Sequence, residues 1–461
     1  MKLEDIHSVY FVGIGGIGMS AIARWFNQRG VAVGGYDRVE TPLTTRMSLE
    51  GMWIHYVDDR KAIKPQFLNP ESTLVVYTPA VPASHGELKF FQKKGFIVKK
   101  RSEVLGMISR GHYTIAVGGT HGKTTTSSMV AHLLNQSAQK CSAFVGGIMA
   151  NYDTNMLVAD KEAPVVVEAD EFDRSFHRLS PNYSIVTSVD PDHLDIYGTE
   201  EEMKKAFGHF LQLSGEEGKT LIHYKAAEKV NMHLEHLYYT YGIDAGDVQA
   251  KALRAVNGTF IFNYKGKEVI KDLKLSVPGF HNVENAVAAV TVALDMGMDP
   301  EVIKEGIASY RGVKRRFEYV IKEDKFTFID DYAHHPTEIS AFLRSVKALF
   351  PKKKLTAVFQ PHLYSRTKDF QKGFAESLSL ADEIILLDIY PAREEPIPGI
   401  SSRVIFDQIF KEPKTLCEKS ELMDVIKEKD VELLCTIGAG NIDMEVPKLK
   451  AHFLKHFDIE A

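Results

Sequence analysis

Short apolar runs recur along this chain, and most of them end in glycine, proline, aspartate or histidine before helical periodicity begins. Ser8–Val12, Leu74–Tyr77, Thr114–Val117, Val165–Val167, Ser184–Val189, Phe326–Ile329, Leu355–Phe359 and Ile384–Leu387 read as buried strands. Buried strands alternating with amphipathic helices predict an α/β protein with mostly parallel sheets. Such sheets bind ligands beyond the carboxyl ends of their strands, and the unusual polar residues of this chain cluster there.

At 461 residues the chain exceeds what one hydrophobic core organises, which predicts two to four domains. Boundaries are expected near Arg101–His112 and Ser309–Arg316. With 44% hydrophobic and 25% charged residues, it has the balance of a folded chain. A formal charge of -5 offers no field for nucleic acid or an anionic membrane, so neither is expected as a partner. Cys141, Cys417 and Cys435 form no C-x-x-C pair and no disulfide framework, which predicts a reducing, cytoplasmic setting. Glu4, Asp5 and a glycine cluster interrupt the N-terminal stretch, so it reads as a strand and loop and not as a signal peptide. No apolar run approaches the roughly 20 residues that cross a bilayer.

Two of the apolar runs lead into glycine-rich loops. After Ser8–Val12 come Gly13-Ile14-Gly15-Gly16-Ile17-Gly18 and an amphipathic helix. Gly13, Gly15, Gly16 and Gly18 permit a tight turn and bring backbone N–H groups to a diphosphate at the helix's positive end. Asp37 follows the last glycine at the spacing where an acid holds a ribose hydroxyl. Together these features predict a diphosphate nucleotide and leave open whether it is NAD or a UDP-sugar.

After Thr114–Val117 come Gly118-Gly119-Thr120-His121-Gly122-Lys123-Thr124-Thr125-Thr126 and a second helix. Backbone amides here cradle phosphate oxygens, Lys123 offsets β/γ charge, and Thr124, with Thr125 next, ligates Mg²⁺. The loop is shorter than G-x-x-x-x-G-K-[ST], because Val117 stands five before Gly122. Two acidic strand ends follow. In Glu168-Ala169-Asp170-Glu171 the alternation of an extended chain puts Glu168 and Asp170 on one face. The other is Asp190-Pro191-Asp192-His193-Leu194-Asp195. Downstream of a phosphate loop, Glu168 and His193 are expected to hold a divalent ion.

His281, Asn282 and Asn285 share a face at the start of a later helix, spaced to read a purine edge or to cap the helix. Phe326–Ile329 ends in Asp330-Asp331-Tyr332-Ala333-His334; neighbouring aspartates point to opposite faces, so only one need enter a site. Arg316, and His362 and Arg366 after the next strand, suit a carboxylate substrate and charge on a transferring phosphoryl group.

These motifs, in this order and over essentially the whole chain, resemble the Mur ligases of bacterial cell-wall synthesis, most closely their alanine-adding branch. The phosphate loop of that family is the short form. The resemblance implies a Rossmann-like UDP-sugar-binding domain over 1–106, a central P-loop ATPase domain over 107–311, and a Rossmann-like domain over 312–461 that completes the amino-acid and ATP sites. It implies ATP-dependent joining of L-alanine to the lactyl carboxylate of UDP-N-acetylmuramate through an acyl phosphate, giving ADP and phosphate. Carried over by residue, Gly13, Gly15, Gly16, Gly18 and Asp37 bind the UDP-sugar, and Gly119 to Thr125 bind the ATP phosphates. Thr124, Glu168 and His193 hold Mg²⁺; His281, Asn282 and Asn285 meet adenine. Arg316, Asp331, Tyr332 and His334 surround the γ-phosphate and ATP ribose, and His362 and Arg366 receive the amino acid.

Two departures matter. Leu363 stands where many alanine-adding members carry arginine, and Phe207–Phe210 lacks the lysine that several sister ligases carbamylate, so no such modification is expected. A sister ligase that attaches a preformed peptide or another small amino acid to the same UDP-sugar shares every ATP motif. A nicotinamide dehydrogenase leaves Lys123, Glu168 and Asp331 unexplained, and a non-catalytic nucleotide switch wastes the carboxylate and imidazole clusters.

Overall fold

The computed structural model describes residues 2–191, 194–230, 238–256, 258–277, 279–392 and 394–459. In the first sheet, β1 (Ser8–Val12), β2 (Ala32–Tyr36), β3 (Trp53–His55), β4 (Thr73–Tyr77) and β5 (Ile97–Lys100) run parallel in the order β3-β2-β1-β4-β5. Val9 and Phe11 enter one buried cluster and Tyr10 and Val12 the other, so β1 is covered on both faces, as its unbroken apolar run requires. The strand order reverses between β1 and β4, where parallel sheets open a ligand crevice. A Cβ on Gly13 would lie 3.1 Å from Thr78, just past β4, so the loops after β1 and β4 meet at that point.

The second sheet contains β6 (Thr114–Gly118), β7 (Ser142–Met149), β8 (Thr154–Leu157), β9 (Val165–Glu168), β10 (Tyr183–Val186), β11 (Lys219–His223), β12 (Tyr238–Ile243), β13 (Val248–Val256), β14 (Thr259–Lys265) and β15 (Val269–Leu275). Its order is β15-β14-β13-β12-β11-β10-β6-β9-β7-β8, which sets β6 between β9 and β10, both parallel to it. The third sheet holds β16 (Glu318–Lys322), β17 (Thr327–Asp331), β18 (Leu355–Phe359), β19 (Glu383–Leu386), β20 (Lys414–Leu416) and β21 (Leu433–Ile437) in the order β16-β17-β21-β18-β19-β20. Among the described residues of this sheet, only β16 pairs antiparallel.

Packing separates the chain into two compact units, one of residues 1–250, 264–270 and 285–306, the other of 251–263, 271–284 and 307–461. The first two sheets share a core within the first unit: Val9, Phe11, Ile22 and Phe26 belong to one cluster with Val165, Val167 and Phe207. Strand limits follow the apolar runs with two instructive differences. β10 stops at Val186, short of the expected Val189, because Thr187 and Ser188 turn to the phosphate loop. β17 continues through Asp330 and Asp331, which the sequence placed just past its end. All three cysteines are free, and among the described residues no helix is long and apolar enough to cross a membrane.

Candidate nucleotide and ligation site

The phosphate loop follows β6 and is held from both neighbouring strand ends. Gly119 (φ +137°) and Gly122 (φ +83°) occupy backbone conformations that favour glycine, and a Cβ on Gly122 would lie 2.9 Å from Asn285 Oδ1. From the β10 side, Ser188 Oγ accepts the His121 N–H at 2.7 Å, Thr187 Oγ1 donates to the His121 carbonyl, and Thr120 Oγ1 accepts the Asp190 N–H at 3.0 Å. Beneath the loop the floor is apolar: a Cβ on Gly118 would meet Phe210 at 3.0 Å, and Phe210 stacks on Phe176. Lys123, first residue of the helix Lys123–Gln136, donates to the Gly119 carbonyl at 2.6 Å and to buried Glu171 at 2.8 Å.

The β9 side brings oxygen donors. Thr124 Oγ1 donates to Glu168 Oε1 at 2.9 Å, while Glu168 Oε2 accepts the Gly146 N–H at 2.6 Å. β9 ends at Glu168, so its alternation does not extend to Asp170, whose carboxylate turns to Arg101 at 2.8 Å; both acids nevertheless line one small cleft. His193, the third expected metal ligand, lies outside the described residues, as does Asp192. Asn285 accepts from Thr126 at 3.0 Å, so this expected adenine contact reaches the phosphate-loop helix. His281 and Asn282 begin the same helix, Phe280–Asp295, and a Cβ on Gly279 would lie 2.8 Å from His281 and 3.2 Å from Asn282.

In the first sheet, Gly15 donates its N–H to Asp37 Oδ2 at 2.6 Å, and Arg38 donates to Asp37 Oδ1 at 2.7 Å. Asp37 thus shapes the glycine loop itself, and a Cβ on Gly15 would strike it at 2.9 Å. Gly16 is the N-cap of the helix Ile17–Asn27, and Gly18 lies in its first turn.

The second unit assembles the remaining residues. Asp331 accepts N–H groups from Phe317 at 2.7 Å and Ala333 at 2.8 Å, whereas Asp330 turns to Thr436 Oγ1 at 2.5 Å, so the neighbouring acids do part ways. Burial pushes the Asp330 carboxyl up to about 7 and that of Asp331 up to about 6. The Tyr332 ring has the guanidinium of Arg315 at 4.9 Å and that of Arg316 at 5.1 Å. Arg315 also donates to the Gly438 carbonyl at 2.6 Å, which anchors the pair to the end of β21. His334 Nδ1 lies 3.0 Å from the Tyr332 carbonyl, and burial draws its imidazole below the ordinary value. Its ring is 6.3 Å from that of His362, whose Nδ1 is 3.3 Å from Arg366. Leu363, between them, adopts φ +71°, a strained backbone for a branched residue.

Along most of its length the chain is similar to known proteins. Residues 8–113 match the Mur ligase family catalytic domain, 117–293 the Mur ligase middle domain, and 315–436 the Mur ligase glutamate ligase domain. The chain belongs to the Mur ligase family. Among its Mur ligase relatives, the UDP-N-acetylmuramate–L-alanine ligase of Parabacteroides distasonis is 50% identical over 98% of this chain and 98% of its own length. That of Phocaeicola vulgatus is 49% identical over 97% and 98%. The crystal structure of UDP-N-acetylmuramate-alanine ligase from Thermotoga maritima superposes with a TM-score of 0.81 at 30% identity, covering 97% of this chain and 99% of that one.

Mur ligases are ATP-dependent ligases. Sequence reasoning missed several residues that hold the predicted ones in place within each unit of this Mur ligase. Ser188 was hidden in an apolar run, and Glu171, visible as an acid, faces Lys123 only because the chain turns after β9. Arg315 stood in plain view in Lys314-Arg315-Arg316, yet only tertiary structure reveals that it grips Gly438.

Proposed function

We propose that this chain joins L-alanine to the lactyl carboxylate of UDP-N-acetylmuramate, with cleavage of ATP to ADP and phosphate. The observation that carries the reading is near-half identity, end to end, with relatives bearing that name. In this reading the lactyl carboxylate attacks the γ-phosphate to give an acyl phosphate and ADP. The alanine amine then attacks the acyl carbon, and the tetrahedral intermediate expels phosphate.

Lys123, held at the loop by Gly119, offsets charge on the β- and γ-phosphates. Thr124 and Glu168 already face one another, and these two hard oxygen donors would hold a Mg²⁺. When bound, that ion would neutralise phosphate charge, and the family resemblance adds His193 to the residues that would hold it. Arg316, Asp331, Tyr332 and His334 serve the γ-phosphate and ribose, His281, Asn282 and Asn285 the adenine, and His362 and Arg366 the incoming amino acid. Gly13, Gly15, Gly16, Gly18 and Asp37 serve the UDP-sugar. The same reading divides the chain into donor, ATPase and acceptor domains at 1–106, 107–311 and 312–461, and sets the reaction in the cytoplasm. Its test is phosphate release with ATP, Mg²⁺ and UDP-N-acetylmuramate against a panel of amino acids and a cell-wall tripeptide. Release is expected to require the UDP-sugar and to be strongest with L-alanine; release with the tripeptide alone overturns the alanine assignment.

A further inference from the structure

Arg101 is the first residue of the helix Arg101–Arg110, directly after β5, at the carboxyl edge of the first sheet. Its side chain does not point into solvent. A Cβ on Gly18 would lie 3.0 Å from Arg101 Nη1 and 3.2 Å from its Cδ. The last glycine of the G-x-G-G-x-G loop is therefore bare because an arginine lies along the first turn of the helix it opens. That turn carries unsatisfied N–H groups and the positive end of the helix dipole. A guanidinium there is unfavourable on its own and favourable when an anion is shared between the two.

The anion in the structure is Asp170, whose Oδ2 accepts from Arg101 Nη2 at 2.8 Å. The Asp170 side chain is 41% exposed, so its hold on the guanidinium is that of a part-solvated ion pair, which a ligand of higher charge can replace. Asp170 stands two residues beyond Glu168, the acid bonded to Thr124 of the phosphate loop. Arg101, Ser102, Glu168, Asp170 and Ser175 line one cleft. The arginine thus lies between the glycine loop of β1 and the acidic end of β9.

We infer that Arg101 binds the diphosphate of the UDP-sugar donor together with the N–H groups of the glycine-loop helix, and that Asp170 is the internal counter-ion the diphosphate replaces. This rests on the reading of the glycine loop as the donor's diphosphate site. Exchange of partner releases Asp170 beside Glu168 when the donor is seated, which links occupancy of the first loop to the acidic edge of the second.

The two partners have opposite expected effects, and this separates binding from mere bracing. Arg101→Met should weaken binding of UDP, measured by calorimetry, about 10- to 100-fold, with a parallel rise in KM for the UDP-sugar. Uridine, which lacks the diphosphate, should bind wild type and Arg101→Met alike. Asp170→Asn removes the competing anion and should tighten UDP binding. Arg101→Lys keeps the charge without the fork and should fall between wild type and Met. Equal weakening of UDP binding by Arg101→Met and Asp170→Asn, or UDP binding unaltered by Arg101→Met, overturns the inference and leaves the donor site standing. Failure of UDP to bind the wild-type chain overturns the reading of the glycine loop itself.

Discussion

Beside the phosphate loop stand three side-chain pairs, in which Lys123 meets Glu171, Thr124 meets Glu168, and Thr126 meets Asn285. Around Asp331 in the second unit, a carboxylate is instead satisfied by backbone N–H groups of Phe317 and Ala333 on either side of the strand end. A side-chain pair can open when a ligand offers a better partner, because each member keeps its place on the backbone. A carboxylate that closes a turn cannot leave without opening the turn. The first arrangement is receptive and the second is scaffolding, which aims Arg316, Tyr332 and His334.

The sharpest way to break that contrast is Lys123→Ala. It should cost at least ~10³-fold in phosphate release while far-UV dichroism stays unchanged. Substantial residual ligation would mean that the loop is not where ATP is spent. Next in size is Asp331→Ala, expected to destabilise the second unit by about 2–3 kcal/mol by stranding two buried N–H groups. Hydrogen exchange along β17 reads this locally, and a change below about 0.5 kcal/mol would remove Asp331 from the scaffold. Both tryptophans, Trp25 and Trp53, lie in the first unit, so indole fluorescence is blind to this loss and serves as its control.

A smaller effect concerns pH. The folded carboxyls of Asp330 and Asp331 hold their protons up to about 7 and about 6, above the ordinary value of 3.8. The folded state therefore binds more protons than the unfolded one between those limits. The contribution is present at low pH and is lost as pH rises from about 4 to about 7. Asp330→Asn should flatten that slope in a denaturant series, and an unchanged slope would assign it elsewhere. Smallest is Thr126→Val, expected to cost about 1 kcal/mol, since one exchangeable pair is lost and no turn is opened. A cost as large as that of Asp331→Ala would erase the distinction.

The sequence made the strand ends readable because parallel strands carry unbroken apolar runs, and the first polar residue marks the exit. β1 and β18 agree with expectation at both limits. What hid were partners from elsewhere in the chain. Glu168 and Asp170 were paired by alternation, but alternation holds only inside a strand, and β9 stops at Glu168. Asp37 was assigned to a ribose by spacing, yet spacing could not show that Gly15 and Arg38 already use its oxygens. Arg101 carried no motif at all; its importance lies in the space that Gly18 leaves for it.

β21 has the last word on when this enzyme can work. It lies between β17 and β18 at the centre of the third sheet, yet it is made roughly a hundred residues after β17. During synthesis, β17 and β18 have no central strand to join them, and Arg315 has no Gly438 carbonyl to grip, until that late segment leaves the ribosome. A nascent or prematurely ended chain can therefore build its phosphate loop while still lacking the strand that anchors Arg315 beside Tyr332.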